Sequence, residues 1–168
     1  MPNRVEKPAA LGLILTGLRN LGKTIVLAVG GFENLRPADI RYLEDAKSRG
    51  HYLVVGVNPR WPYGRGKKVP GLRVSGADRA EVLAGLRCVD YVTVYEGETA
   101  DELLRILRPT ILAYSPQFTE RSAPERAVAQ ELEIAIAICG GTRRPAPSGG
   151  RRLLARKKGD RFTLRREK

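Results

Sequence analysis

The chain has 168 residues, 42% of them hydrophobic, with 30 Lys+Arg against 18 Asp+Glu and a formal net charge of +12. That length suits one ordinary domain whose core folds without staples. Two cysteines, Cys88 and Cys139, exclude a disulfide scaffold and a Cys-rich zinc site, and the single histidine, His51, excludes a His-pair metal site. No apolar run is long enough to cross a bilayer. The expectation is a cytoplasmic protein with two buried thiols, no resident metal and no membrane partner.

In chain order, Leu11, Ile14, Leu15, Leu18 and Leu21 recur at three- and four-residue spacing and predict a helix with one buried stripe, stopped by Gly22. Basic residues before that run resemble the start of a secretion signal, but Arg19-Asn20 interrupts it and no small-x-small cleavage site follows. Residues 24–29 are β-branched and apolar, as a buried parallel strand should be. Residues 37–49 read as a helix with Pro37 in its first turn and Gly50 beyond its end. A strand over 52–57, a Gly/Pro-rich loop over 58–76 and a helix over 77–87 follow. Next come a strand over 91–94 and a helix over 99–107, capped by Thr99 with Glu102 three residues on. A strand over 110–114, a helix over 122–131 and a strand over 132–139 complete the pattern. Strands alternating with helices of this length specify an α/β protein with a mostly parallel sheet.

The charge is concentrated at one end. Residues 143–168 hold eleven Lys/Arg against two acids, a net of +9, while the preceding 142 residues hold nineteen against sixteen, a net of +3. Pro145, Pro147, Gly149 and Gly150 mark the join. We therefore expect an α/β domain over 1–142, with residues 1–22 as a helix packed on it, and a linker with a basic tail over 143–168. Arg151, Arg152, Arg156, Lys157 and Lys158 are the candidate polyanion contacts, for RNA or an acidic protein. A solubilising extension is the plainer alternative.

Chemistry in an open parallel sheet sits beyond the carboxyl ends of the strands. Here the first strand leads into Gly30, Gly31 and Phe32, and then to a helix start at Arg36. Glycines admit a ligand to the backbone, and a helix N-terminus offers N–H groups to phosphate. The turn is neither GxGxxG nor a P-loop. The second candidate is the long loop, where Lys67, Lys68 and Arg73, with Arg79, lie near the aromatic Trp61 and Tyr63. Cations interleaved with aromatics suit phosphates and stacked bases. A plain Gly-Gly turn and a solvated basic loop fit the same residues. His51 reads as a structural surface residue.

Several segments together resemble the nucleotidyltransferase domain of bacterial ADP-heptose synthase and its cytidylyltransferase-like relatives. They are Leu18-Arg19-Asn20-Leu21-Gly22-Lys23, Gly30-x-Phe32, Leu53-Val54-Val55-Gly56-Val57-Asn58, the run from Arg79 to Val92, and Arg108-Pro109. The resemblance covers about three quarters of the chain and implies a Rossmann-like sheet flanked by helices. It also implies a site in which two imidazoles of a His-x-Gly-His motif contact nucleotide phosphates while a sugar phosphate attacks. The matching positions here are Arg36, Pro37, Ala38 and Asp39, and the family's Lys-Gly-Gly corresponds to Tyr114-Ser115-Pro116. Its Ser-Thr-Thr falls near Ser148, without a threonine. By the same matching, Gly30, Gly31, Phe32, Arg36, Lys67, Lys68, Arg73 and Arg79 would hold nucleotide. The leading expectation is a pseudoenzyme that binds a nucleotide, RNA or a protein partner. The alternatives are an active enzyme joining ATP or CTP, with Mg²⁺, to a sugar phosphate through an altered clamp, and a scaffold subunit of a ribonucleoprotein or other complex. A homo-oligomer is compatible with each.

Overall fold

The computed structural model describes residues 4–59, 74–117 and 125–140, together with the backbone of 156–158 and 161–163. Its centre is β1 (Ile25–Gly30), in which Ile25 to Ala28 have no exposed surface. Alternation of side chains along β1 sends Ile25 and Leu27 to one face and Val26 and Ala28 to the other, each into a separate core cluster. Both faces are therefore covered, as a parallel sheet requires.

The sheet continues through β2 (Tyr52–Val57), β3 (Tyr91–Val94), β4 (Ile111–Tyr114) and β5 (Ala135–Ile138) in the order β3-β2-β1-β4-β5. Every neighbouring pair is parallel. One face carries α2 (Pro37–Ser48) and α3 (Gly76–Ala84), through Tyr42, Leu43, Ala46, Ala80 and Leu83. The other carries α1 (Pro8–Asn20), α4 (Asp101–Leu107) and α5 (Arg126–Glu131), through Leu11, Leu15, Leu104, Leu107 and Ala129. The expected α/β class and mostly parallel, Rossmann-like sheet are what the structure has. The strand order reverses between β1 and β4, which opens a crevice at their carboxyl ends.

Local expectations fare unevenly. Gly22 does stop α1: at φ 71° it completes a cap in which Lys23 N–H donates to Leu18 O at 3.0 Å and Gly22 N–H to Arg19 O at 2.8 Å. The α1 stripe is a correction. Leu11 and Leu15 are buried and Leu18 packs at their edge, but Ile14 and Leu21 face outward. The cap of α4 is another. The Thr99 hydroxyl donates to Asp101 at 2.9 Å, while Ala100 N–H is taken by the carboxylate of Glu125 at 3.0 Å. The last strand of the sheet is shorter than expected because Glu133, at φ 57°, turns the chain before it. In the expected tail, β6 (Arg156–Lys158) and β7 (Arg161–Thr163) pair antiparallel, a hairpin with no signal in the hydrophobic pattern.

His51 is structural as expected, its Nδ1 accepting Thr24 N–H at 3.0 Å. Cys139 is buried, Cys88 is half-buried, and burial raises both thiol pKa values. No helix among the described residues is long and apolar enough to cross a membrane.

Candidate functional site

The crevice between β1 and β4 is a cleft of about 310 Å³ whose walls are the segment from Val29 to Asn34, the start of α2 and the exit of β4. Backbone geometry shapes its floor. Phe32 adopts a left-handed φ of 49°, an uncommon conformation for a side chain of that size. Its ring comes within 3.1 Å of where a Cβ on Gly30 would stand, so any larger residue there would have to displace the ring.

Two phenols form the back wall. Tyr42 donates to Ala113 O at 2.8 Å, tying α2 to β4, and burial raises its pKa far above the ordinary tyrosine value. Tyr114 donates to the carboxylate of Glu125, which is 2% exposed. Burial, and then the Glu125 bond and charge, raise the Tyr114 pKa well beyond the usual range. Both phenols are therefore neutral at physiological pH.

The mouth is formed by the first turn of α2. Its N-cap is Arg36, with Pro37 at the first helical position. Asp39 reaches back, one carboxylate oxygen accepting the Arg36 backbone N–H at 2.8 Å and its side-chain Nε at 3.3 Å. A guanidinium has no acceptor, so Asp39 alone provides the side-chain cap of this turn. Glu33 lines the cleft beside it, so the described walls carry two carboxylates and one cation, Arg36.

The residues singled out in the sequence separate into four groups. Gly30, Gly31, Phe32, Arg36 and Asp39 come together around the cleft, while Ala38 is exposed on α2 outside its lining. Arg79 is 5% exposed and does not line it. Its guanidinium donates to Gly31 O at 2.6 Å, Pro59 O at 3.0 Å, Val74 O at 3.1 Å and Ser75 O at 3.3 Å. It thus braces the exit of β1 against both ends of the loop 60–73. Trp61, Tyr63, Lys67, Lys68 and Arg73 lie outside the described residues, as do Arg151 and Arg152. Arg156, Lys157 and Lys158 form β6. Glu125 had no signal of its own in the sequence, since it acquires its role from Tyr114 and Ala100, 11 and 25 residues away. Among the described residues no group of three His, Cys, Asp or Glu side chains is placed to hold a metal ion.

No protein-family model matches the chain. Over 123 residues, 73% of this chain, it is 33% identical to the bifunctional protein HldE of Aliarcobacter butzleri. Over 130 residues it is 37% identical to HldE of Syntrophotalea carbinolica. It spans about a quarter, 26%, of the length of these curated relatives. Among solved structures, the lipopolysaccharide core biosynthesis protein of Thermoplasma volcanium GSS1 matches with a TM-score of 0.54 at 25% identity. That match covers 70% of this chain and 94% of the other. Over about three quarters of its length the chain is a homologue of HldE, with a cytidylyltransferase-like, nucleotidyltransferase-type domain. Its domain is of the ADP-heptose synthase-like type, as the sequence motifs imply. In this nucleotidyltransferase-like domain, Arg36 and Asp39 occupy the two positions at which the motif resemblance expects imidazoles, and they are paired with each other.

Proposed function

We propose that this nucleotidyltransferase-like domain binds a nucleotide in the cleft between β1 and β4 without transferring it. The observation that carries the reading is the first turn of α2, where Asp39 holds donors a phosphate would otherwise take. Nucleotidyl transfer needs positive or hydrogen-bonding groups aimed at oxygens that gain charge in the transition state, and one lost donor of this kind costs about 2.7–4 kcal/mol. Here a carboxylate stands at one such position. At the exit of β4, the motif lysine is replaced by Tyr114, whose proton is committed to Glu125. Changes at separate walls of one cleft support loss of turnover more strongly than any single change.

The test uses the full chain with Mg²⁺ and ATP or CTP, first by calorimetry and then with sugar 1-phosphates in a pyrophosphate-release assay. The expected result is saturable nucleotide binding with no pyrophosphate above background. Turnover would overturn the loss of catalysis, and absence of binding at millimolar nucleotide would remove the ligand. Asp39→Asn is expected to tighten nucleotide binding several-fold, because it removes a charge that repels phosphate and weakens the internal pair. Arg36, exposed at the cleft mouth, favours a second reading, an active enzyme with an arginine clamp. That reading requires pyrophosphate release that Arg36→Ala abolishes.

A further inference from the structure

The first turn of α2 limits how much negative charge the cleft can accept. A phosphate at a helix start is held by consecutive N–H groups and by nearby cations. From Arg36 to Ile40, four of the five positions have no N–H to offer it. The Arg36 N–H donates to Asp39 Oδ2 at 2.8 Å, and Pro37 has no N–H. Asp39 N–H and Ile40 N–H both donate inward to Arg36 O, at 2.9 Å and 3.2 Å. The remaining N–H belongs to Ala38, which is exposed outside the cleft lining. Side-chain charges point the same way. Glu33 and Asp39 line the cleft, and Arg36 is the sole cation among its described lining residues. Arg36 gives its Nε to Asp39 at 3.3 Å, and its side chain is 70% exposed. A guanidinium carries its N–H donors in a planar fork, so the two Nη nitrogens of Arg36 remain for one phosphate. A second or third phosphate would add negative charge beside two carboxylates, with no further cation on the described walls.

We infer that the cleft selects a nucleoside monophosphate over the corresponding triphosphate. Arg36 holds the single phosphate, and Asp39 and Glu33 reject further ones. This rests on the reading that the cleft binds a nucleotide, and it names which kind. The selectivity comes from repulsion as much as from attraction, since it depends on the carboxylates that face the longer ligand. Loss of transfer follows from the same arrangement, because the pyrophosphate leaving a triphosphate would meet carboxylates where charge develops.

Calorimetry of the full chain tests this with adenosine, AMP and ATP, and with cytidine, CMP and CTP, at low salt and without divalent metal. Within the series that binds, the monophosphate should be tightest. The nucleoside and the triphosphate should each be weaker by about fivefold or more, the scale of one charge pair at about 4 Å in water. Arg36→Ala should lower the monophosphate to the level of the nucleoside and leave the nucleoside unchanged. Asp39→Asn should strengthen the triphosphate more than the monophosphate and so narrow the gap between them. Added Mg²⁺ should narrow it too, because it cancels charge that the carboxylates repel. A triphosphate that binds more tightly than its monophosphate without metal would overturn the inference and leave nucleotide binding standing. A nucleoside that binds as well as its monophosphate would also overturn it, by removing the phosphate contact at Arg36. If no member of either series binds at millimolar concentration, the reading beneath it falls and the inference falls with it.

Discussion

At the scale of single residues, the strongest commitments of this chain are made by buried ionisable groups. Arg79 distributes its donors over four carbonyls from three segments, which a flexible single-point ammonium cannot reproduce. Arg79→Lys should therefore cost about 2–3 kcal/mol, seen as a lower urea midpoint, because it leaves the buried Gly31 carbonyl and partly buried ones short of donors. A loss below about 0.5 kcal/mol would mean that these carbonyls find water instead. Glu125 plays a comparable part on the other face, joining Tyr114 to the N-terminus of α4 through its two oxygens. This is also where sequence reading stops. An arginine near other cations looks like a phosphate ligand until its burial is known, and the partners of Glu125 lie 11 and 25 residues away. Gly30, Phe32, Arg36 and Asp39 were legible because they follow one strand directly, so topology alone assigns them to its end.

At the scale of elements, the strands and most helices were legible because short β-branched apolar runs alternate with segments of 3.6-residue period. Helix α1 was only half legible, since residues at three- and four-residue spacing satisfy either of its apolar faces. Contacts between element ends had no such signal, and Asp45 is the clearest of them. It stands on α2 and accepts Gly140 N–H at 2.7 Å, holding the chain just after β5, while Arg49 approaches its other oxygen at 3.3 Å. The Gly140 bond is the largest effect and lowers its pKa; burial, the next, opposes it, and Arg49 and then Ser48 add to the lowering. A carboxyl whose pKa is lower folded than unfolded stabilises at pH above the unfolded value and loses that contribution as pH falls through the folded one. Asp45→Asn should thus be less stable than the parent at neutral pH, and the gap should begin to close below about pH 4 and disappear only once the pH falls below the folded value. The side chain is partly exposed, so screening limits the difference to roughly 1 kcal/mol or less. Chemical denaturation of both proteins at pH 7 and pH 3 measures it, and a gap that does not narrow between the two would assign the effect to packing instead.

At the scale of the whole molecule, the question is where a net charge of +12 can act. The α/β body, residues 1–142, carries only +3 of it, and many of its cations are held by partners. Arg36, Lys47, Arg49 and Arg105 pair with Asp39, Asp90, Asp45 and Glu131. Arg4, Arg19 and Arg79 donate to backbone carbonyls, Arg4 to Val89 O at 3.0 Å among them. The +9 carried by residues 143–168 is thus the main source of any field felt by a distant polyanion. Within it, β6 brings Arg156, Lys157 and Lys158 into three consecutive positions of a paired strand. We propose that single-stranded RNA meets this tail, and binding of the full chain to it should then weaken linearly in log–log form as salt rises, since each neutralised phosphate releases counterion. Replacing all three cations with glutamine should reduce that slope by about 2, at roughly 0.7 per phosphate contact. An unchanged slope in the triple variant would move the contact elsewhere in the chain.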